Sequence, residues 1–300
     1  VSSSDLELRR ELTQRGHVFA TGSDAEVAVH LYEESGPQFL HRLRGMFGLA
    51  LWDQEKRRLM LARDRLGIKP MHYWCGPQGD LVFASEIKSI LASGMMERAV
   101  EPRALCDLLS LGFVVTPRTM FKGIAQLEAG QMLLYSAGEH VLQRYWDLKF
   151  QPLSPEDGRK SCRDWSEELL AVLQETTALH LRSDVPVGAW LSPGLDSSTI
   201  ASLIIEARQD PLLTYTLTYD EKGAADEGVR CSTLDQFHPE RIQARRISCG
   251  SADLQHFPRN LWHRENPTSS TLNLAQMLLS EAAARQATGR RTACCGWCVP

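Results

Sequence analysis

Long hydrophobic runs are missing from this chain of 300 residues. Nothing in it approaches the roughly 20 consecutive apolar residues of a membrane-crossing helix, and the mean hydropathy is −0.25. The residues that follow Val1 lack the basic segment and apolar core of a secretory signal. Positive charge is not in excess, since 33 Lys and Arg stand against 37 Asp and Glu for a net charge of −4. The absence of a basic stripe argues against nucleic acid as a partner. No Gly-x-Gly-x-x-Gly run and no Gly-Lys-Ser/Thr follows a strand pattern, which argues against dinucleotide and Walker-type loops. The cysteines do not pair by pattern. Cys75, Cys106, Cys162, Cys231 and Cys249 are widely scattered, as reduced cytosolic thiols are and a disulfide framework is not. What remains is ordinary globular composition, 43% hydrophobic and 23% charged, at a length that suggests about two domains.

The two halves follow different patterns. Helical apolar spacing at 5–15 (Leu8, Leu12) and 24–35 (Val27, Leu31) opens the chain. Short apolar runs at 45–52 and 58–62 flank a polar turn, and 72–75 with 81–84 and 131–135 with 140–145 repeat that hairpin pattern. Short helices are expected at 86–92 and from Pro102 to Leu111, with proline in the first turn. Pro152, Pro155 and Gly158 then mark a linker over 148–160. Beyond it the order is helix (163–182), strand (Val185–Leu191), loop, helix (Ser197–Arg208) and strand (Leu212–Tyr219), which is α/β with a parallel sheet. The expected boundaries are 1–147 for the first domain, 148–160 for the linker, 161–289 for the second domain and 290–300 for an aberrant tail. Cys294, Cys295 and Cys298 in that tail have the spacing of half a zinc site but lack a second ligand pair nearby, so an abnormal terminus is the favoured reading.

The most informative stretch is Val187–Ser202, where a buried strand pattern runs into small and hydroxyl residues and then into a helix. Backbone N–H groups of such a loop, backed by a helix N-terminus, form an anion site. Ser192, Ser197 and Ser198 add hydroxyls. Asp196 repels phosphate directly, so its use in such a site is to hold Mg²⁺. A plain strand-to-helix turn, with Asp196 or Ser197 as N-cap, explains the same residues equally well.

Ser192-Pro193-Gly194-Leu195-Asp196-Ser197-Ser198 resembles the pyrophosphate loop of ATP pyrophosphatases, and Ser183–Gly188 resembles the run before that loop in asparagine synthetases. The first half resembles the same family. The matching runs are Leu6–Arg9, Gly16–Phe19, Gly22–Val27, Gly45–Phe47, Ala62–Pro70 and Ala84–Lys88, in order and spacing over most of residues 5–205. The chain is thereby identified as a member of the glutamine-hydrolysing asparagine synthetases. The resemblance implies a partial Ntn-type glutaminase domain of the α+β class, with antiparallel sheets and helices, followed by a partial α/β pyrophosphatase-like synthetase domain with a parallel sheet. It implies ATP and Mg²⁺, glutamine and aspartate as substrates, a β-aspartyl-AMP intermediate, a cytoplasmic setting and often a homodimer. By motif position, Asp24 holds the glutamine α-amino group, with N-cap of the 24–35 helix as the plain alternative. Leu191, Ser192, Gly194, Leu195, Asp196, Ser197, Ser198 and Leu217 form the ATP site, Leu191 and Leu217 flank the adenosine, and Asp196 is the metal ligand. Arg63, Asp64, Lys69, Glu86 and Lys88 are expected to be architectural salt-bridge or interface residues. Asp226-Glu227 resembles the family's acidic pair, and Leu261–His263 with Asn266–Thr268 resembles a further family run in which His263 is structural.

Three departures from the pattern follow. The family's nucleophile is an N-terminal cysteine whose own amine is the base, whereas Val1 stands first here, so no catalytic glutaminase residue is expected in this chain. Pro193 replaces a loop glycine, which removes one N–H and forbids a positive φ. Losing one donor in an anion site costs on the order of 1–3 kcal/mol. The family's second ATP motif is expected near Ser280–Gln286, and Gly289–Pro300 stands in its place. The chain therefore reads as truncated at both ends and inactive as given. The competing readings are a relative with another acyl acceptor, of the β-lactam-forming or peptide-modifying type, and a non-catalytic degenerate fragment.

Overall fold

The computed structural model describes residues 5–183, 186–219, 239–268, 270, 272–286 and 293–295. The chain divides into two units, 1–150 with 264–269, and 151–263 with 270–300. Asp226, Glu227 and Cys298 lie outside the described residues.

In the first unit, α1 (Asp5–Gln14) and α2 (Asp24–Ser35) bury Leu8 and Leu12, and Val27 and Leu31, the i, i+4 pairs of their apolar stripes. Ser23 caps α2, its hydroxyl accepting from Ala25 N at 3.2 Å. Asp24 is thus the first helical residue rather than the cap. The helices lie on an antiparallel sheet of order β1 (Gly48–Asp53), β2 (Arg58–Arg63), β6 (Gln131–Ser136), β7 (Glu139–Arg144). A second antiparallel sheet has the order β4 (Leu81–Ala84), β3 (His72–Cys75), β5 (Ile124–Gln126). Strand β2 is apolar on both faces because both are covered. Met60 and Ala62 join the cluster under the helices, while Leu61 joins Tyr73, Leu127 and Leu133 on the side of the second sheet. Each fully buried Leu there contributes roughly 1.5–3 kcal/mol. Short α3 (Ile87–Ala92) and α4 (Pro102–Leu111) complete the unit, with Pro102 in the first turn of α4 and Gly112 closing it at φ 81°.

In the second unit, α5 (Cys162–His180) opens with a capping box between Ser161 and Asp164. A parallel sheet follows, of order β10 (Ile242–Cys249), β9 (Leu212–Tyr219), β8 (Val187–Trp190), β11 (Ala293–Cys295). Helix α6 (Leu195–Ala207) packs on one face through Ala201, Ile204 and Ile205, against Ala189, Leu191, Leu212 and Ile242. On the other face Leu279 and Ala283 of α8 (Leu272–Gln286) meet Tyr215, with Leu213 and Leu217 beside them. In β9, Leu212 joins the layer under α6, while Leu213, Tyr215 and Leu217 face α8 and alternate with Thr214, Thr216 and Thr218. Among the described residues the remaining α-helix is α7 (Phe257–Arg264). Residues 293–295, part of the expected aberrant tail, run parallel to β8, with Ala293 opposite Val187. Strands β5 and β10 were not expected from pattern. The first is three residues long, and the second has the mostly exposed, arginine-rich face of an edge strand. Among the described residues no helix is long and apolar enough to cross a membrane.

Candidate functional site

The loop after β8 is built by its own hydroxyls. Leu191 N donates to Tyr215 O at 2.9 Å, and Thr216 Oγ1 donates to Leu191 O at 2.9 Å, which fixes where the strand ends. The Ser197 hydroxyl then closes the loop. It donates to Ser192 O at 2.8 Å, accepts from Ser192 N at 3.2 Å and lies 2.9 Å from Ser192 Oγ. Gly194 is the N-cap of α6, at φ −74° and ψ 153°, and offers no side-chain cap. The helix therefore begins at Leu195, two residues earlier than its apolar pattern suggests. Asp196 and Ser197 lie in its first turn, and neither is the cap.

Leu195, Asp196 and Ser197 are the first three helical residues, whose N–H groups have no intrahelical acceptor. They give the turn a partial positive charge. Ser198 N already donates back to Gly194 O at 3.2 Å, so the helix ladder begins there. Asp196 is exposed at the second helical position, where a carboxylate is favoured by the dipole and could hold a cation. The side chain of Leu195 is 82% exposed. Pro193 supplies no N–H. The structure thus brings Ser192, Gly194, Leu195, Asp196, Ser197 and Ser198 into one turn, and Leu191 hydrogen-bonds the strand segment that carries Leu217. Leu191 is buried in the layer under α6, while Leu217 packs toward α8 on the opposite face.

The second candidate is the 19–23 loop before α2. The carboxylate of Glu26 gathers it, accepting from Ala20 N at 2.6 Å, Thr21 N at 2.8 Å and Thr21 Oγ1 at 2.6 Å. These bonds, with help from His30, hold its pKa down at about 2. From the other side Arg9 of α1 donates to Thr21 O at 2.9 Å and Ser23 O at 2.7 Å, with its guanidinium 4.1 Å from the centre of the Phe19 ring. The loop is clamped by its carbonyls and by its N–H groups, and that sets the position of Asp24. Arg9 and Glu26 stood inside the sequence motifs, but their clamping roles depend on contacts that spacing does not show.

The charged run at 63–69 is architectural, through backbone rather than through ion pairs. Arg63 donates to Lys69 O at 2.8 Å, Leu127 O at 2.7 Å and Gly67 O. Asp64, 1% exposed, accepts from the N–H groups of Phe47, Leu66, Ile68 and Lys69. Tyr145 Oη donates to Arg63 O at 2.7 Å, and burial raises the pKa of its phenol. Glu86 and Lys88 do pair, at 3.1 Å, and Lys88 Nζ also lies 3.4 Å from Glu265. Glu265 is the residue that sequence reasoning missed. Its carboxylate accepts from Ile87 N at 2.6 Å and Lys88 N at 2.7 Å, capping α3 in place of Glu86, which makes no cap bond.

Comparison with known proteins places both units. Residues 5–146 match the glutamine amidotransferase domain, and residues 168–289 match asparagine synthase. The chain is 37% identical over 274 residues to a Mycobacterium tuberculosis protein whose name assigns it provisionally to the glutamine-hydrolysing asparagine synthetases, covering 88% of this chain and 40% of the relative. It is 36% identical over 220 residues to the glutamine-hydrolysing asparagine synthetase 3 of Bacillus subtilis, covering 72% of this chain and 35% of the relative. It is also 30% identical over 296 residues to the amidase chyE of Penicillium rubens, covering 94% of this chain and 43% of the relative. The chain therefore spans well under half the length of these curated relatives.

Proposed function

The chain belongs to the family of glutamine-hydrolysing asparagine synthetases, and on that premise we propose that it carries the glutamine-recognition and nucleotide-loop portions of an ATP-dependent carbon–nitrogen ligase. The amide nitrogen of glutamine is transferred to an activated carboxylate, that of aspartate by family resemblance. The carboxylate oxygen attacks the α-phosphorus of ATP and pyrophosphate departs. Ammonia then attacks the acyl carbon, and AMP leaves with the former carboxylate oxygen. Adenylation is needed because a free carboxylate has no good leaving group.

One observation carries the reading. The second unit places a serine-lined turn, with three uncommitted helix N–H positions, directly after a parallel strand. The N–H groups of Leu195, Asp196 and Ser197 would bind the pyrophosphate oxygens. Ser192 and Ser198 would supply hydroxyls, while Ser197 holds the turn closed. The exposed Asp196 carboxylate is suited to Mg²⁺, which when bound neutralises charge on the departing pyrophosphate. In the first unit, Asp24 would pair with the α-ammonium of glutamine, held in place by the clamped loop. The partial Ntn-type and pyrophosphatase-like folds of the sequence reading belong to the same proposal.

The test is calorimetric binding of ATP with Mg²⁺ to the chain beside Asp196→Ala and Pro193→Gly. Binding that Asp196→Ala weakens and Pro193→Gly strengthens supports the reading. The expected gain at position 193 is about 5- to 150-fold, from one added phosphate donor of about 1–3 kcal/mol. If ATP binds neither the chain nor Pro193→Gly, the nucleotide reading fails for this chain. That outcome favours the non-catalytic reading, for which Pro193 is the supporting observation.

A further inference from the structure

Three lone-pair atoms converge at one point in the first unit, outside the residues assigned above. His17 leads into the 18–23 loop, and His30 and Glu33 lie three residues apart on one face of α2. Nδ1 of His17 and Nδ1 of His30 are 3.1 Å apart. Oε2 of Glu33 lies 2.8 Å from the latter and 3.5 Å from the former. A single proton on His30 Nδ1 serves the Glu33 edge and leaves the His17 nitrogen facing it as a second acceptor. One cation satisfies all three. A triangle with those edges has a circumradius of about 1.8 Å, so an ion just out of its plane reaches every corner at the roughly 2.0–2.2 Å of zinc–nitrogen and zinc–oxygen bonds.

The outer ring nitrogens agree with this. A metal-bound imidazole commonly turns its other N–H toward a carboxylate. Nε2 of His17 lies 3.3 Å from Glu34, and Nε2 of His30, which is buried and makes no hydrogen bond, lies 3.8 Å from Glu26. Nearby positive charge is already engaged. Arg15 pairs with Glu34 and Glu11, and Arg42 does the same. Phe19 packs edge-on against the His30 ring at 4.7 Å and closes one side. The Glu33 side chain is 55% exposed, which leaves a path for the ion and room for water as a fourth ligand.

We infer that His17, His30 and Glu33 form a binding site for a borderline divalent transition metal, with zinc the best match to two imidazoles and one carboxylate. The hard oxygen-seeking ions Mg²⁺ and Ca²⁺ do not match that donor set. Such an ion would tie the start of the 18–23 loop to the middle of α2, and so brace the segment that carries Asp24. The inference stands on geometry alone and is independent of any nucleotide or glutamine binding.

The experiment titrates Zn²⁺ alone into the full chain by calorimetry, beside His17→Ala, His30→Ala and Glu33→Ala. Circular dichroism checks that each variant is folded, and Glu33→Ala, at an exposed helical position, keeps the test decisive if a histidine variant unfolds. The expected result is one saturable equivalent whose affinity falls at least tenfold in each folded variant, with the ring signals of His17 and His30 shifting on binding in NMR spectra. Absence of binding overturns the inference. So does binding that survives unchanged in the folded variants, because the ion would then sit on other ligands such as the cysteine thiols.

Discussion

Removing the Asp64 carboxylate is the sharpest test of how the first unit is held together. Asp64 is 1% exposed and serves four backbone donors. Those of Ile68 and Lys69 lie at 2.9 Å, and those of Phe47 and Leu66 at 3.2 Å. Hydrogen bonds to a charged acceptor contribute about 1.5–3 kcal/mol each. The two short bonds therefore contribute about 3–6 kcal/mol, and the longer pair adds less. Asp64→Ala leaves these donors without their carboxylate acceptor, so the expected loss is about 4 kcal/mol. A typical domain has only about 5–15 kcal/mol in total. Because the chain has two units, global unfolding need not be a single transition, and site-resolved amide hydrogen exchange is the better assay. A loss of 4 kcal/mol corresponds to roughly a thousandfold faster exchange at Ile68 and Lys69, at 1.4 kcal/mol per tenfold. Asp64→Asn keeps one acceptor oxygen and should fall between. Exchange at those two amides that rises less than tenfold in Asp64→Ala would refute the claim that this carboxylate organises the turn.

Glu26 gives a pH dependence with a definite sign. Its pKa is depressed from 4.5 to about 2 in the folded chain, so its contribution is fully present above about pH 4.5 and is lost as pH falls toward 2. Protection of the Thr21 amide is expected to fall through that window, and Glu26→Gln should remove the dependence; protection that is flat in the native chain would contradict the clamp. For Glu265, replacement by Ala should free the Ile87 and Lys88 amides of α3. Two lost charge-assisted bonds imply about 3 kcal/mol and exchange about a hundredfold faster at both positions, whereas an unchanged rate would mean that α3 is capped from elsewhere.

Much of the layout was legible along the chain because it follows from local rules. The stripes Leu8/Leu12 and Val27/Leu31, the Pro102 start and Gly112 stop of α4, and the hairpins around 54–57 and Gly138 depend on residues a few positions apart. The loop at Ser192–Ser198 stood out for the same reason, because strand, small residues and helix are contiguous. The family motifs likewise carried recognition without any tertiary information. What the sequence left open was decided by contacts between distant positions. That Ser23 rather than the expected Asp24 caps α2, and that α6 begins at Leu195 rather than Ser197, depends on which side chain turns onto the backbone; Ser197 is taken up by Ser192. The edge strand β10 was obscured because its exposed arginines weaken the apolar pattern that marks a strand. Leu191 and Leu217 look equivalent as strand residues, yet packing sends them to opposite faces of the sheet.

The sequence by itself determined the two-part organisation, the type of each half and the family. Amphipathic period, turn chemistry and contiguous motifs are all written within short windows of chain. Only the tertiary structure decided what the charged residues do. Asp64 and Arg63 are adjacent and of opposite sign, yet each satisfies backbone groups rather than the other. Glu265 caps a helix that starts 178 positions earlier. His17 and His30 meet across 13 positions through their Nδ1 atoms. A buried polar group is assigned its role by whichever donor or acceptor the fold brings within about 3 Å, and that partner is set by packing rather than by proximity along the chain.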